Sequence, residues 1–208
     1  MEQTVRIHNL IKSTKVLGPG NRAAIWFQGC MRNCPGCMSP DSRTLTAGTV
    51  IPVEKLVKFF LSLNDIEGIT ISGGEPFLQI DALYALVKSI KKNSNLSVII
   101  YTGFTLNELQ KMNSEEVNEL LNKMVDILID GEYVDELNDG VALRGSSNQK
   151  VNFLSDRYKN CADMYSSKNR NAEIMISDKE LFFVGIPEKD TLQTWLNTTD
   201  FFKEIPHN

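Results

Sequence analysis

Four short runs of β-branched and aromatic residues, at 23–28, 68–72, 96–101 and 125–130, alternate with helix-like stretches, and this rhythm leaves the chain few architectures. Each run is bounded by turn residues and reads as a strand. Between them, Val53, Leu56, Val57, Phe60 and Leu61 fall at helical spacing over 53–63, and Ile80, Leu83, Tyr84, Val87 and Ile90 do so over 80–90. Ser114, followed by Glu115, Glu116 and Val117, has the form of an N-terminal cap and predicts a third helix running to about Met124. Strands buried on both faces and joined by helical crossovers pair in parallel. The expectation is an α/β protein of about five or six βα units, too few to close an eight-stranded barrel of roughly 250 residues, hence an open partial barrel. Reactive groups in such sheets gather at the carboxyl ends of the strands.

Composition narrows the function. With 208 residues, 42% of them hydrophobic, the chain can bury one sizeable core. A formal net charge of -4 offers no basic stripe to neutralise phosphates, so no nucleic-acid partner is expected. The start, MEQTVRIHNL, lacks the apolar stretch of a secretory leader, and no apolar run approaches the roughly 20 residues that span a bilayer. A cytoplasmic protein with no membrane partner is therefore expected, and in that compartment thiols stay reduced.

Three of the four cysteines stand on the loop after the first strand, as Cys30, Cys34 and Cys37 in C-x3-C-x2-C spacing. Three thiolates can ligate three irons of a cubane and leave the fourth iron open to a chelating ligand. Pro35 and Gly36 let the loop bend tightly enough to bring the sulfurs round one cluster. The alternatives are a structural zinc site, a disulfide or buried thiols. Zinc would need a fourth ligand, and beyond carboxylates the chain offers His8, His207 and the remote Cys161, which reads as an ordinary thiol.

The same order of motifs resembles the radical S-adenosylmethionine (SAM) superfamily and, within it, the anaerobic ribonucleotide reductase activating proteins, over roughly residues 15–154. The resemblance rests on Gly18-Pro19-Gly20-Asn21-Arg22, the cysteine loop, Ser72-Gly73-Gly74-Glu75-Pro76, Tyr101-Thr102-Gly103-Phe104, Asp130-Gly131-Glu132-Tyr133, and 143–149 with Arg144, Gly145, Ser146, Ser147, Asn148 and Gln149. It implies a partial (β/α)6 barrel over 1–154, with a 4Fe-4S cluster on Cys30, Cys34 and Cys37. It implies further that SAM binds at Gly73, Gly74, Glu75, Pro76, Thr102, Gly103, Asp130, Arg144, Ser146, Ser147 and Asn148. On this reading Gly73 and Gly74 expose backbone to the ligand, so that a bulky replacement weakens SAM binding and leaves iron content intact. Taken alone, the glycine pair also fits an ordinary strand-to-helix turn, Asp130 a helix cap, and 144–149 a polar surface loop.

The activity implied is reductive cleavage of SAM to a 5'-deoxyadenosyl radical, with no catalytic side chain beyond the cluster and SAM, and no plausible catalytic histidine in the chain. Electrons are expected from a flavodoxin or ferredoxin, and the radical is expected to be installed as a glycyl radical on a partner enzyme. Direct action on a peptide or small molecule, and a non-catalytic metal-binding module, are the alternatives. The chain runs more than 50 residues past the resemblance. Strands are expected at 172–176 and 181–185 around a turn at 177–180, then a break at Pro187 and a helix over 191–202 on Leu192, Trp195, Leu196 and Thr199. This extension, 155–208, is expected to pack on the barrel, cover a sheet edge and complete the core.

Overall fold

The computed structural model describes residues 2–166, 168, 170–176, 181–186 and 194. The four expected runs form β2 (Arg22–Phe27), β4 (Gly68–Gly73), β5 (Ser97–Tyr101) and β6 (Ile127–Asp130), which pair in parallel in that order. Three strands not foreseen, β1 (Thr4–Thr14), β3 (Thr49–Pro52) and β7 (Lys150–Phe153), add antiparallel flanks and give one seven-stranded sheet, β3-β1-β2-β4-β5-β6-β7. The described sheet therefore holds four parallel strands where five or six βα units were expected. Chain outside the crossovers goes instead into strands that fold back antiparallel on the ends of the parallel set.

One face of the sheet carries the helices. The sheet's pleat turns Ala23, Ile25 and Phe27 toward α1 (Val53–Leu61) and α2 (Ile80–Asn93), where Leu56, Phe60, Leu83, Leu86 and Ile90 are buried. Each such aliphatic or aromatic side chain contributes about 1.5–3 kcal/mol through burial. A short α3 (Leu106–Lys111), absent from the expectation, is set by a reciprocal capping box between Thr105 and Glu108. The expected third helix is α4 (Glu115–Glu119), continued by a π-helical turn at Leu120–Met124, and Ser114 caps it by accepting from the Val117 amide at 3.2 Å.

The opposite face is covered by chain beyond residue 154. The hairpin β8 (Ala172–Ile176) and β9 (Leu181–Gly185) forms with the expected bounds, whereas the turn at 177–180, Pro187 and the helix over 191–202 lie outside the described residues. The hairpin pairs with neither edge strand of the large sheet. It lies instead on the sheet face, where Val184 is buried with Leu17, Ala24 and Trp26, and the Phe182 ring meets Trp26 edge-on at 5.2 Å and 83°. Apolar burial on a face removes more surface from water than edge pairing would. Beside it, the 3-10 segment Asp156–Tyr165 packs Tyr158 and the half-buried Cys161 against Ile99, Ile127 and Ile129.

At the amino ends of the parallel strands Arg22 is completely buried. Its guanidinium donates to Thr70 Oγ1 (2.8 Å), Ser97 Oγ (2.8 Å), and the carbonyls of Ile69 (2.7 Å), Ser97 (3.2 Å) and Pro19 (3.2 Å). The Tyr158 hydroxyl joins this network through Ser97 Oγ (2.7 Å) and Glu67 Oε1 (2.6 Å), and Glu67 is also paired with Arg157 at 2.7 Å. The arginine thus ties β2, β4 and β5 together at the end of the sheet remote from the cysteines.

Candidate functional site

The loop after β2 leaves the strand through Gly29, whose φ of +103° is open to glycine and strained for other residues. Backbone bonds then fix it: Gly29 N to Ser42 O at 2.7 Å, Cys30 N to Arg43 O at 2.9 Å, and Glu75 N to Gly29 O at 2.8 Å. Cys37 N closes a turn on Cys34 O at 3.3 Å, and Gly36 takes the positive φ (+68°) that the turn requires. Cys30, Cys34 and Cys37 are all free thiols of intermediate exposure. All three line one cavity of about 430 Å³, bounded by the carboxyl ends of β2, β4, β5 and β6.

Burial pushes the Cys30 thiol up, and burial together with Glu132, which accepts from Cys34 Sγ at 3.4 Å, pushes Cys34 up to about 11. At neutral pH both are therefore thiols until a metal displaces their protons. Among the described residues, no three His, Cys, Asp or Glu side chains converge on a single ion. A cubane asks something different, one thiolate for each of three irons, and three unpaired cysteines on one loop facing one cavity fit that demand.

Gly73, which ends β4, and Gly74 after it have a structural role beside the expected one. A Cβ on Gly73 would lie 2.3 Å from Phe27 O, and a Cβ on Gly74 2.2 Å from Gly29 O and 2.8 Å from Ser42 O. The missing side chains admit the backbone that leads into the cysteine loop, so these positions hold that loop as well as bordering the cavity. Gly74→Val is expected to lower both iron content and SAM cleavage in anaerobically reconstituted protein. Retention of full iron with loss of SAM affinity alone would favour the earlier expectation of a pure ligand contact.

Glu75 is buried and engaged by the chain itself. Its Oε1 accepts from Thr102 Oγ1 (2.8 Å) and Phe77 N (3.1 Å), and its Oε2 from Gly103 N (2.8 Å). Burial raises its pKa against the pull of these donors. The carboxyl group therefore braces the turn after β4 against the one after β5, and Thr102 and Gly103 face the cavity beside it. Pro76 is buried as the first residue of the 3-10 turn Pro76–Gln79.

The remaining expected positions divide. Asp130 does not border the cavity; its Oδ2 accepts from Leu106 N at 2.5 Å, at the start of α3, and its Oδ1 is buried without a partner among the described residues. It thus satisfies the first amide of α3, whose N-cap is Thr105, and in this it is close to the alternative reading of a helix cap. In 144–149 the polar groups are spent locally: Arg144 pairs with Asp139, Ser146 Oγ accepts from Val134 N (3.2 Å), Ser147 N donates to Leu137 O (2.7 Å), and Asn148 donates to Glu132 O (2.8 Å). From this segment Gly145 and Gln149 reach the cavity. Gln149 accepts from Gly145 N (2.8 Å) and donates to Gly131 O (2.7 Å), which holds both against the end of β6.

Several cavity residues escaped the sequence reading. Arg32 lies over the Phe104 ring at 4.7 Å, pairs with Glu132 at 3.2 Å, and fills the space beside Gly103, where a Cβ would meet its Cδ at 2.5 Å. Its proximity to the second cysteine of the motif was the only available signal. His8, weighed in the sequence only as a possible zinc ligand, borders the cavity because β1 pairs with β2, and Trp26 and Phe182 form its apolar side.

The sequence pattern of the 4Fe-4S single cluster domain matches residues 16–152, which include every motif from Gly18 to Gln149. The chain belongs to this 4Fe-4S family. Among its relatives, the anaerobic ribonucleoside-triphosphate reductase-activating protein of Salmonella typhi is 32% identical over 158 residues, 72% of this chain and 99% of that protein. The protein of the same name from Escherichia coli K12 is 30% identical over 147 residues, 67% of this chain and 92% of that protein. The pyruvate formate-lyase-activating enzyme of Clostridium pasteurianum is 29% identical over 136 residues, 63% of this chain and 54% of that protein. This member of the 4Fe-4S family is thus a radical SAM enzyme of the activase type, and its hairpin β8–β9 lies outside the matched residues.

Proposed function

We propose that the chain cleaves SAM reductively at a 4Fe-4S cluster and installs a glycyl radical on a partner enzyme of the anaerobic ribonucleotide reductase class. The observation that carries this reading is the set of three free cysteines on one backbone-fixed loop, facing a cavity at the carboxyl ends of the parallel strands. The names of the relatives support the choice of partner. When bound, the cluster and SAM supply one-electron reduction and the radical chemistry that follows it.

The protein's share is to bind, orient and exclude water. Cys30, Cys34 and Cys37 hold the cluster, and Gly73 and Gly74 let its loop seat against β4. Thr102, Gly103, Gly145 and Gln149 form the SAM side of the cavity. Glu75, Pro76, Asp130, Arg144, Ser146, Ser147 and Asn148 keep those turns in place through the bonds described. On this reading the large sheet is an open partial barrel of the radical SAM type, shortened to four parallel strands, with the described residues up to 154 as its body and those beyond 154 as an extension packed on it. No helix among the described residues is long and apolar enough to cross a membrane. The proposal places the reaction in the cytoplasm, with a flavodoxin or ferredoxin as electron donor.

Reduced, reconstituted protein mixed with SAM and its cognate partner is expected to give the doublet electron paramagnetic resonance signal of a glycyl radical on the partner. Absence of that signal, together with 5'-deoxyadenosine formation that rises sharply with a peptide or metabolite, would replace this reading with direct action on that substrate.

A further inference from the structure

The cavity does not end at the cysteines and strand ends. Its far side is bordered by Leu17, Trp26, Phe182, Phe183 and Ile186, three of which come from β9 and the residue after it, outside the stretch shared with the family. The hairpin is held there on several sides. Val184 is fully buried against Leu17, Ala24 and Trp26. Glu173 accepts from Thr14 Oγ1 (2.7 Å) and Lys15 N (3.0 Å), and Arg170, just ahead of β8, donates to Val141 O (3.1 Å), Asn138 Oδ1 (2.7 Å), Arg144 O (2.6 Å) and Gly145 O (3.1 Å). A segment fixed by this many contacts, and continuous with the cysteine-lined space, is a wall of the site.

We propose that this wall is an apolar subsite for the side chain next to the target glycine in the partner's peptide segment, an inference that rests on the activase reading above. An extended peptide advances about 3.3 Å per residue, so a glycine brought to the reacting end of the cavity carries its neighbours in with it. The two ends of the cavity differ in chemistry. The β5 and β6 side offers Thr102, Gly103, Gly145 and Gln149, whereas the β2 and β9 side offers two phenylalanines, a tryptophan and two aliphatic side chains, with His8 of β1 beside them. Away from His8, desolvating a polar group against that wall would go uncompensated, and an apolar side chain is the group that gains there.

The test uses full-length, reconstituted protein with SAM bound, and a synthetic peptide carrying the partner's target glycine and its natural flanking residues. Wild-type protein is expected to bind it, and replacing the apolar residue beside the glycine by Asp is expected to weaken binding about tenfold. Ile186→Asp, which leaves the Trp26–Phe182 pair intact, is expected to weaken binding of the natural peptide by a similar factor of about ten, with iron content and melting temperature reporting its fold. A wild type that binds both peptides equally, or binds neither, overturns the subsite. So does an Ile186→Asp variant that loses affinity for SAM alone, which would assign the wall to the nucleoside. Glycyl radical formation on the intact partner is read separately, so failure of the subsite and failure of the activase reading remain distinct.

Discussion

Replacement of Cys30, Cys34 or Cys37 by Ala is expected to reduce both cluster iron and SAM cleavage to background. On the proposed assignment each thiol holds a separate iron, so none can substitute for another, and two remaining thiolates would leave a cubane with an additional unligated corner. Two polar side chains beside the cysteines are already engaged, Asn33 by Arg43 and Glu132, which meets Cys34 Sγ at 3.4 Å, by Arg32. Cys161 is the control. It sits in apolar contact with Tyr158 and the strand residues Ile99, Ile127 and Ile129, so Cys161→Ala should leave iron content unchanged. Iron and sulfide analysis with 5'-deoxyadenosine assay after anaerobic reconstitution checks the set, and an Ala variant of any one of the three that keeps full iron and cleavage would refute the ligand assignment.

Arg22→Met is expected to cost about 3–5 kcal/mol of stability, since each buried acceptor left without its donor costs about 1–3 kcal/mol. Methionine matches the bulk but donates nothing, leaving three carbonyls and two hydroxyls around the guanidinium short of their donor. Lysine should rescue little, because a single ammonium cannot reproduce a planar fork that reaches β4, β5 and the loop at Pro19 together. By contrast Arg157→Ala, at a pair whose side chains are 34% and 37% exposed, should cost no more than about 1 kcal/mol. Urea unfolding of the apoprotein compares the three; an Arg22→Met midpoint close to wild type would refute the network's role. The same network carries a pH dependence. The Tyr158 hydroxyl bond, aided by Arg157, holds the Glu67 carboxyl below its ordinary value, so its contribution is present above the unfolded-state pKa and is lost as pH falls through the folded one.

The parallel strands were legible because each is buried on both faces and reads as an apolar run between turns. β1 was not, since a register shift between Ile7 and Asn9 breaks its alternation, and its partner lies across a turn that a local pattern cannot see. Missing β1 also meant missing His8 at the cavity, a position set by long-range pairing alone. The cysteine loop was plain from spacing, but the use of Gly73 and Gly74 was not. A glycine states that a side chain is excluded without stating what excludes it, and here it is the backbone of Phe27 and Gly29. Asp130 and 144–149 were expected at the ligand because the family resemblance implies it. The fold spends those groups on helix capping and on loop-to-loop bonds, a choice made by neighbours distant in sequence.

The backbone bonds that join Gly29 to Ser42 and Glu75, and Cys30 to Arg43, bear on how a cofactor comes to be inserted. Ordering a free loop would cost about 1–2 kcal/mol per residue in backbone entropy. In this chain the entropy at both of those loop residues is lost during folding of the sheet, ahead of any encounter with iron. Cluster assembly then takes place on a half-built mould, and the free energy of the iron–sulfur bonds goes into retaining the cluster rather than into recruiting the polypeptide around it.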